Sequence, residues 1–194
     1  MALGQMARRS ARSAKHLAGS RPNPFAYPYP VYSAQLLIAK LDEMKSSNAL
    51  TLYTLCTSLD LPTTNKGTQM AKFTAIIIRA EDQLVEFAEF DNNEVKPMQD
   101  AVGGYLQALT VSTPCGEITF WVNEEGKLLH LPINDAATNL WWFFAPEFTN
   151  RDVLVGDVII TGGADGNGDT LGVPKVLENA FKDAIIGVVI KDKG

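Results

Sequence analysis

Side chains suited to nucleophilic or metal chemistry are scarce in this chain: two histidines, His16 and His130, and two cysteines, Cys56 and Cys115. Cys115 with His130 would suit a thiolate pair in which the imidazole draws off the thiol proton. No third group at a fixed spacing orients them, so a turn cysteine and a strand histidine are the plainer roles. His-x-Glu, Cys-x-x-Cys and His-x-x-x-His spacings are absent, and no zinc site is expected. Asp165-Gly-Asn-Gly-Asp169 sets oxygen side chains at alternate positions, as a calcium loop begins. Its sixth position is Thr170 rather than Gly and its twelfth is Val176 rather than Glu, which departs from the EF-hand pattern. The stretch reads as a solvated acidic loop. Gly162-Gly163 has no following Lys-Ser/Thr and makes a poor phosphate cradle. No metal and no cofactor are expected.

The residues that could bind rather than react lie between Val102 and Phe148. Gly103 and Gly104 permit a backbone reversal that a side chain would obstruct, and Tyr105 follows them. Asn134 stands where a helix would be capped, ahead of Ala-Ala-Thr-Asn-Leu-Trp-Trp-Phe-Phe. With Thr138, it could present free backbone donors to a small polar or anionic group. Asp135 opposes an anion there, and capping is the simpler role for Asn134. Trp141, Trp142, Phe143 and Phe144 occupy successive positions 100° apart, so they cannot all face inward. An exposed member would mark a partner or ligand surface. Gly103, Gly104, Tyr105, Asn134, Thr138, Trp141 and Trp142 are therefore the candidate binding residues, and no residue is assigned a catalytic role.

The elements that must position them follow from hydrophobic spacing. Residues 1–32 carry Arg8, Arg9, Arg12 and Lys15, then four prolines from Pro22 to Pro30 interleaved with Phe25, Tyr27, Tyr29 and Tyr32. This is the composition of a disordered or extended arm. Residues 33–61 read as a helical hairpin opening at a Ser33 cap, and 62–69 as a linker. An α+β domain is expected over 70–194. It opens with a hairpin of strands from Phe73 to Arg79 and from Leu84 to Phe90. A short helix from Glu94 to Ala101 follows, with Pro97 in its first turn. Three strands then form a meander: Tyr105 to Val111, Ile118 to Val122 and Lys127 to Leu131. The helix over 134–144 comes next, then Val153 to Thr161 as a strand pair or one long strand with a kink at Gly156. Val173 to Ala184 is a helix, and Ile185 to Ile190 a closing strand. The expected fold is a small, mostly antiparallel sheet with two or three packed helices.

Charge divides along the same boundary. Residues 1–69 hold eight basic against three acidic side chains, a balance of +5, and residues 70–194 nine against nineteen, −10. An acidic domain is repelled by phosphate backbones, which leaves only the arm at 1–32 for nucleic-acid contact. That arm also has the composition of a transit peptide, or of an aromatic-proline peptide for a partner. No apolar run approaches the roughly 20 residues of a membrane helix. Two separated cysteines suit reduced thiols in the cytoplasm. Met70 is an alternative start to Met1, and the amphipathic pair at 33–61 leaves a homo-oligomer open.

From Phe73 to about Lys182 the sequence resembles domain of unknown function 3846, a family of phages, plasmids and bacteria. The residues that carry the resemblance are Ala75-Ile-Ile-Ile78, Val102-Gly-Gly-Tyr105, Phe120-Trp-Val-Asn-Glu-Glu-Gly126, Pro132-Ile-Asn134 with Ala136-Ala-Thr138, and Val158-Ile-Ile160 before the acidic loop. The family has no established activity, so the resemblance implies no catalytic residues. Its setting implies an accessory protein of a mobile element. The resulting expectation is a non-enzymatic module that binds a host protein or small ligand. The alternative is a small-ligand or nucleotide-binding protein or enzyme using Gly103–Tyr105 and Asn134.

Overall fold

A computed structural model of the chain describes residues 32–33, 72–113 and 116–182. The expected arm (apart from Tyr32), the helical hairpin at 33–61 (apart from Ser33), the linker, Cys56, Cys115 and the expected strand at 185–190 lie outside the described residues.

Among the described residues, six strands form one sheet in the order β1-β3-β2-β6-β5-β4, with each of their pairings antiparallel. They are β1 (Tyr32–Ser33), β2 (Lys72–Ile78), β3 (Leu84–Asp91), β4 (Leu106–Thr113), β5 (Gly116–Asn123) and β6 (Val158–Gly162). Helix α1 (Lys96–Val102) covers one face; α2 (Asp135–Phe144) and α3, over residues 175–182, cover the other. The fold is a small α+β domain.

Alternation along the strands decides which core each side chain enters. Ile76, Ile78, Val85, Phe87, Ile118, Phe120, Val158 and Ile160 meet Ala136, Ala137, Leu140 and Trp141 of α2 and Leu177 and Phe181 of α3. Phe73, Ala75, Ile77, Ala88, Phe90 and Ile159 face the other way, onto Met98, Ala101 and Val102 of α1. β2 and β6 are thus apolar on both faces. This explains why Ala75-Ile-Ile-Ile78 and Val158-Ile-Ile160 read as continuous runs.

Three expectations need correction. Lys127 to Leu131 is a series of turns, not a strand. The side of β5 away from β4 is taken by β6, which pairs with Ile118 to Trp121. The loop instead curls on itself through Leu129 N–H to Glu125 O (2.9 Å) and Leu131 N–H to Gly126 O (3.0 Å), with His130 at φ 51°. Second, the strand expected from Val153 is β6 alone. Gly156, at φ 73°, interrupts it, and Val155 makes only an isolated bridge to Ile133. Third, Tyr32 and Ser33 are neither arm nor helix cap: they pair with Val85 and Leu84 of β3.

Asn123 closes the α1 side. Gly103 ends α1 in the left-handed conformation, φ 75°. The buried carboxamide of Asn123 donates to Gly103 O (3.0 Å) and accepts from Glu125 N (2.9 Å). A Cβ on Gly104 would lie 2.5 Å from Asn123 Nδ2. Gly104→Ala should therefore lower stability by about 1–3 kcal/mol in urea melts, because Asn123 cannot yield without leaving Gly103 O and Glu125 N unpaired.

On α3, Glu178 is buried beside the more exposed Lys175 and Lys182, which donate to its two carboxylate oxygens at 2.6 and 2.5 Å. Burial by itself would raise the Glu178 carboxyl; the two lysines outweigh it and hold it below the ordinary 4.5. A depressed folded-state value stabilises above the unfolded value, and the gain is lost as pH falls through the folded one. Glu178→Gln should cost about 1 kcal/mol at pH 7. The gap from wild type should narrow as melts are run at successively lower pH below 4.5.

Candidate functional site

The sequence-marked residues gather at one end of the sheet, where β2 and β5 finish and β4 and β6 begin, but they divide between its two faces. Asn134 is fully buried at the α2 side. Its Oδ1 accepts from Ala137 N (3.0 Å), the N-cap bond that the sequence suggested. Its Nδ2 donates to Ile78 O (2.8 Å), at the end of β2, and to Gly156 O (3.0 Å), in the turn before β6. Its backbone N–H donates to Leu154 O, and its carbonyl accepts from Thr138 N. One side chain thus joins a strand, a turn and a helix, with a single acceptor lone pair left over.

Thr138, one turn along α2, is equally committed. Its buried hydroxyl accepts from Leu154 N (3.0 Å) and lies 3.4 Å from Leu154 O as donor. Trp141 is buried and stacks on Phe148 at 4.6 Å between ring centres. Trp142 is half-buried, its indole N–H held by Asp152 O (2.8 Å). Phe143 and Phe144 are half-buried at the margin of the core and meet edge to face. The 100° argument holds: one of the four aromatics enters the core fully and the others fan outward.

Gly103, Gly104 and Tyr105 lie on the α1 side, around Asn123. Tyr105 is 67% exposed, and its carbonyl accepts from Glu124 N (2.8 Å). That bond ties it to the turn 124–131. Leu128 and Leu129 within it and Ile133 just after it are exposed, Leu128 to 79%. The turn is anchored from beneath by Leu131, which packs so close to Gly156 that a Cβ there would lie 2.8 Å from Leu131 Cδ1.

Sequence reading missed the charged junction at this end. Arg79, just past β2, donates to Asp157 (2.9 Å), to Glu86 (3.1 Å) and to Ala101 O at the end of α1 (3.2 Å). Asp157 also accepts from Ala80 N (2.8 Å). Burial works to lower the Arg79 value, but Glu86 and Asp157 outweigh it and raise it. Nearby Asp82 is pushed up, first by burial and then by the charges of Asp157 and Glu86, against the opposing Leu84 amide. The partners of Arg79 stand 7 and 78 residues away, and no spacing rule links them. The only signal was a lone arginine ending an isoleucine run.

At the opposite end of the sheet, Asp165 accepts from the amides of Asn167 (2.8 Å) and Asp169 (3.0 Å). Those bonds hold its carboxyl below the usual range. The loop uses its leading carboxylate to hold its own shape. Among the described residues, no three His, Cys, Asp or Glu side chains converge as metal ligands, and no buried side-chain N or O lacks a partner. Nor is any described helix long and apolar enough to cross a membrane.

A single antiparallel sheet between one helix and two defines a small α+β domain. Within that class, residues 73–185 match the model of the Domain of unknown function (DUF3846) family. That is more than half of the chain, and the chain belongs to this family. No curated protein and no solved structure gives a significant match.

Asn134→Ala should be the most damaging change at this site. It removes a cap worth about 1 kcal/mol and leaves Ile78 O and Gly156 O without their buried donor, at about 1–3 kcal/mol more. Asn134→Asp keeps the cap acceptor but turns a carboxylate toward two carbonyls. Its denaturation midpoint should fall with Asn134→Ala, far from wild type.

Proposed function

We propose that this protein is a non-enzymatic interaction module that docks a partner protein through the turn 124–133 and Tyr105. The observation that carries this reading is the contrast at one end of the sheet. Asn134, Thr138, Asn123 and Trp142 spend their polar groups inside the fold. Leu128, Leu129 and Ile133, on and just after a turn pinned by Leu131, stay in solvent, as does Tyr105, whose carbonyl is bonded to that turn. Exposed aliphatics presented on an anchored turn are what protein recognition uses, since their transfer from water is favourable without a matching charge. A small polar ligand would need donors that Asn134 and Thr138 already give to Leu154, Ile78 and Gly156. The family's phage and plasmid setting supports an accessory role for a mobile element, with a host protein in the cytoplasm as partner.

The test uses the full chain as bait in a host lysate, against Leu128→Asp/Leu129→Asp. Trp141 makes a poor control because it is core. Wild type should retain a specific protein that the double variant loses at least tenfold, with both baits giving the same circular dichroism. Retention of nothing specific, or equal retention by both baits, would overturn the proposal.

A further inference from the structure

The exposed aliphatics of the turn 124–131 are flanked by carboxylates. Glu124 and Glu125 open the turn, and Asp135 starts α2 two residues after Ile133; all three are exposed. Gln83 Oε1 accepts from Ala136 N (3.2 Å), which brings the exposed Asp82 of the β2–β3 turn close to the same helix end. Two of the bases at this end are already engaged. Lys127 donates to Asp152 (2.5 Å), and Arg79 is held by Glu86 and Asp157. Arg151, beside Asp152, is exposed and offsets one charge of the acidic surplus. The surplus acts within the fold as well. Burial first, and then the charges of Asp157 and Glu86, push the Asp82 carboxyl up although both are bonded to Arg79.

Resting on the docking role of this turn, we propose that the partner is a folded protein whose apolar groove, bordered by Lys and Arg, receives Leu128 and Leu129. Shape requires the groove. The two leucines are consecutive and exposed, on a backbone that folds back through Leu129 N–H to Glu125 O and Leu131 N–H to Gly126 O. They form a ridge, and a flat partner would leave the flanks of a ridge wet. Charge requires the border. Covering the leucines also strips water from Glu124 and Glu125 in the same turn, a cost offset only where cationic donors replace that water. Arginine, with five donors and weak hydration, suits such a rim.

The same carboxylates select against other occupants. Nucleic acid and anionic lipid surfaces are repelled. A second copy meeting this one across a two-fold axis would set the same acids against themselves.

Three full-length baits in host lysate separate the basic groove from the docking role itself: wild type, Leu128→Asp/Leu129→Asp, and Glu124→Gln/Glu125→Gln/Asp135→Asn. The captured protein, once purified, should associate with wild type about tenfold more slowly at about 300 mM salt than at about 50 mM. The amide variant, with unchanged circular dichroism, should associate about tenfold more slowly than wild type at the lower salt and lose the salt dependence. Capture that needs the leucines but is indifferent to salt and to the amide variant would overturn the basic groove and leave the docking role standing. Capture of nothing specific, or equal capture by the leucine variant, would overturn both. A leucine-dependent dimer in sedimentation would assign the ridge to a second copy. Tighter capture by full-length Arg8→Glu/Arg9→Glu/Arg12→Glu would assign it to this chain's own basic segment; either result would overturn the basic partner.

Discussion

The carboxamide of Asn134 is the constraint on which this end of the molecule depends. A sheet buried on both faces must end somewhere, and its last peptide groups leave the ladder where water cannot reach them. Ile78 O, at the end of β2, is one such group, and Gly156 O, before β6, is another. Asn134 answers both while its oxygen caps α2. The strands are thereby locked to the helix whose Ala136, Ala137 and Leu140 fill the core beneath. Ala136 and Ala137 of its first turn are buried against the sheet. Asn123 does the corresponding work on the α1 side.

Arg79 completes the arrangement with charge. It leaves β2 one residue after Ile78 and reaches across to α1, β3 and the start of β6. A half-buried guanidinium between two carboxylates contributes little net energy if desolvation is charged against it. What it fixes is relative position. The planar fork demands that Glu86, Asp157 and the end of α1 hold their places together. Amide and guanidinium therefore divide the same sheet end between them, one on each face.

What the sequence disclosed and what it withheld have distinct physical causes. The hairpin of β2 and β3, the cap at Asn134, the helix beneath Trp141 and the reversal at Gly103-Gly104 were legible because each is set by neighbours within a few residues. The strand expected at 127–131 failed for the opposite reason. Lys-Leu-Leu-His-Leu has strand-like composition, but strand formation needs a free edge, and β6, some 30 residues later, takes it. Arg79, Glu86 and Asp157 were invisible for the same cause at a longer range. Trp142 is intermediate: helical spacing showed that some aromatic must turn outward, but only the fold shows that Asp152 O receives its indole.

The leucines at 128 and 129 were read as strand interior, and their exposure follows from the lost edge. Once β6 pairs with β5, the turn 124–131 has no ladder to join and no sheet face to cover. Leu131 alone goes inward, against the bare Cα atoms of Gly126 and Gly156. Larger residues at either glycine would lift the turn off the domain. Leu131, half-buried, holds the turn against these two glycines while Leu128 and Leu129 stay in water. Solvent-facing Glu124, Glu125 and Asp135 lie along the same stretch of chain. For the docking role proposed above, a surface of this kind would select a complementary face with an apolar centre and a basic rim, the charges steering approach and the leucines supplying the contact.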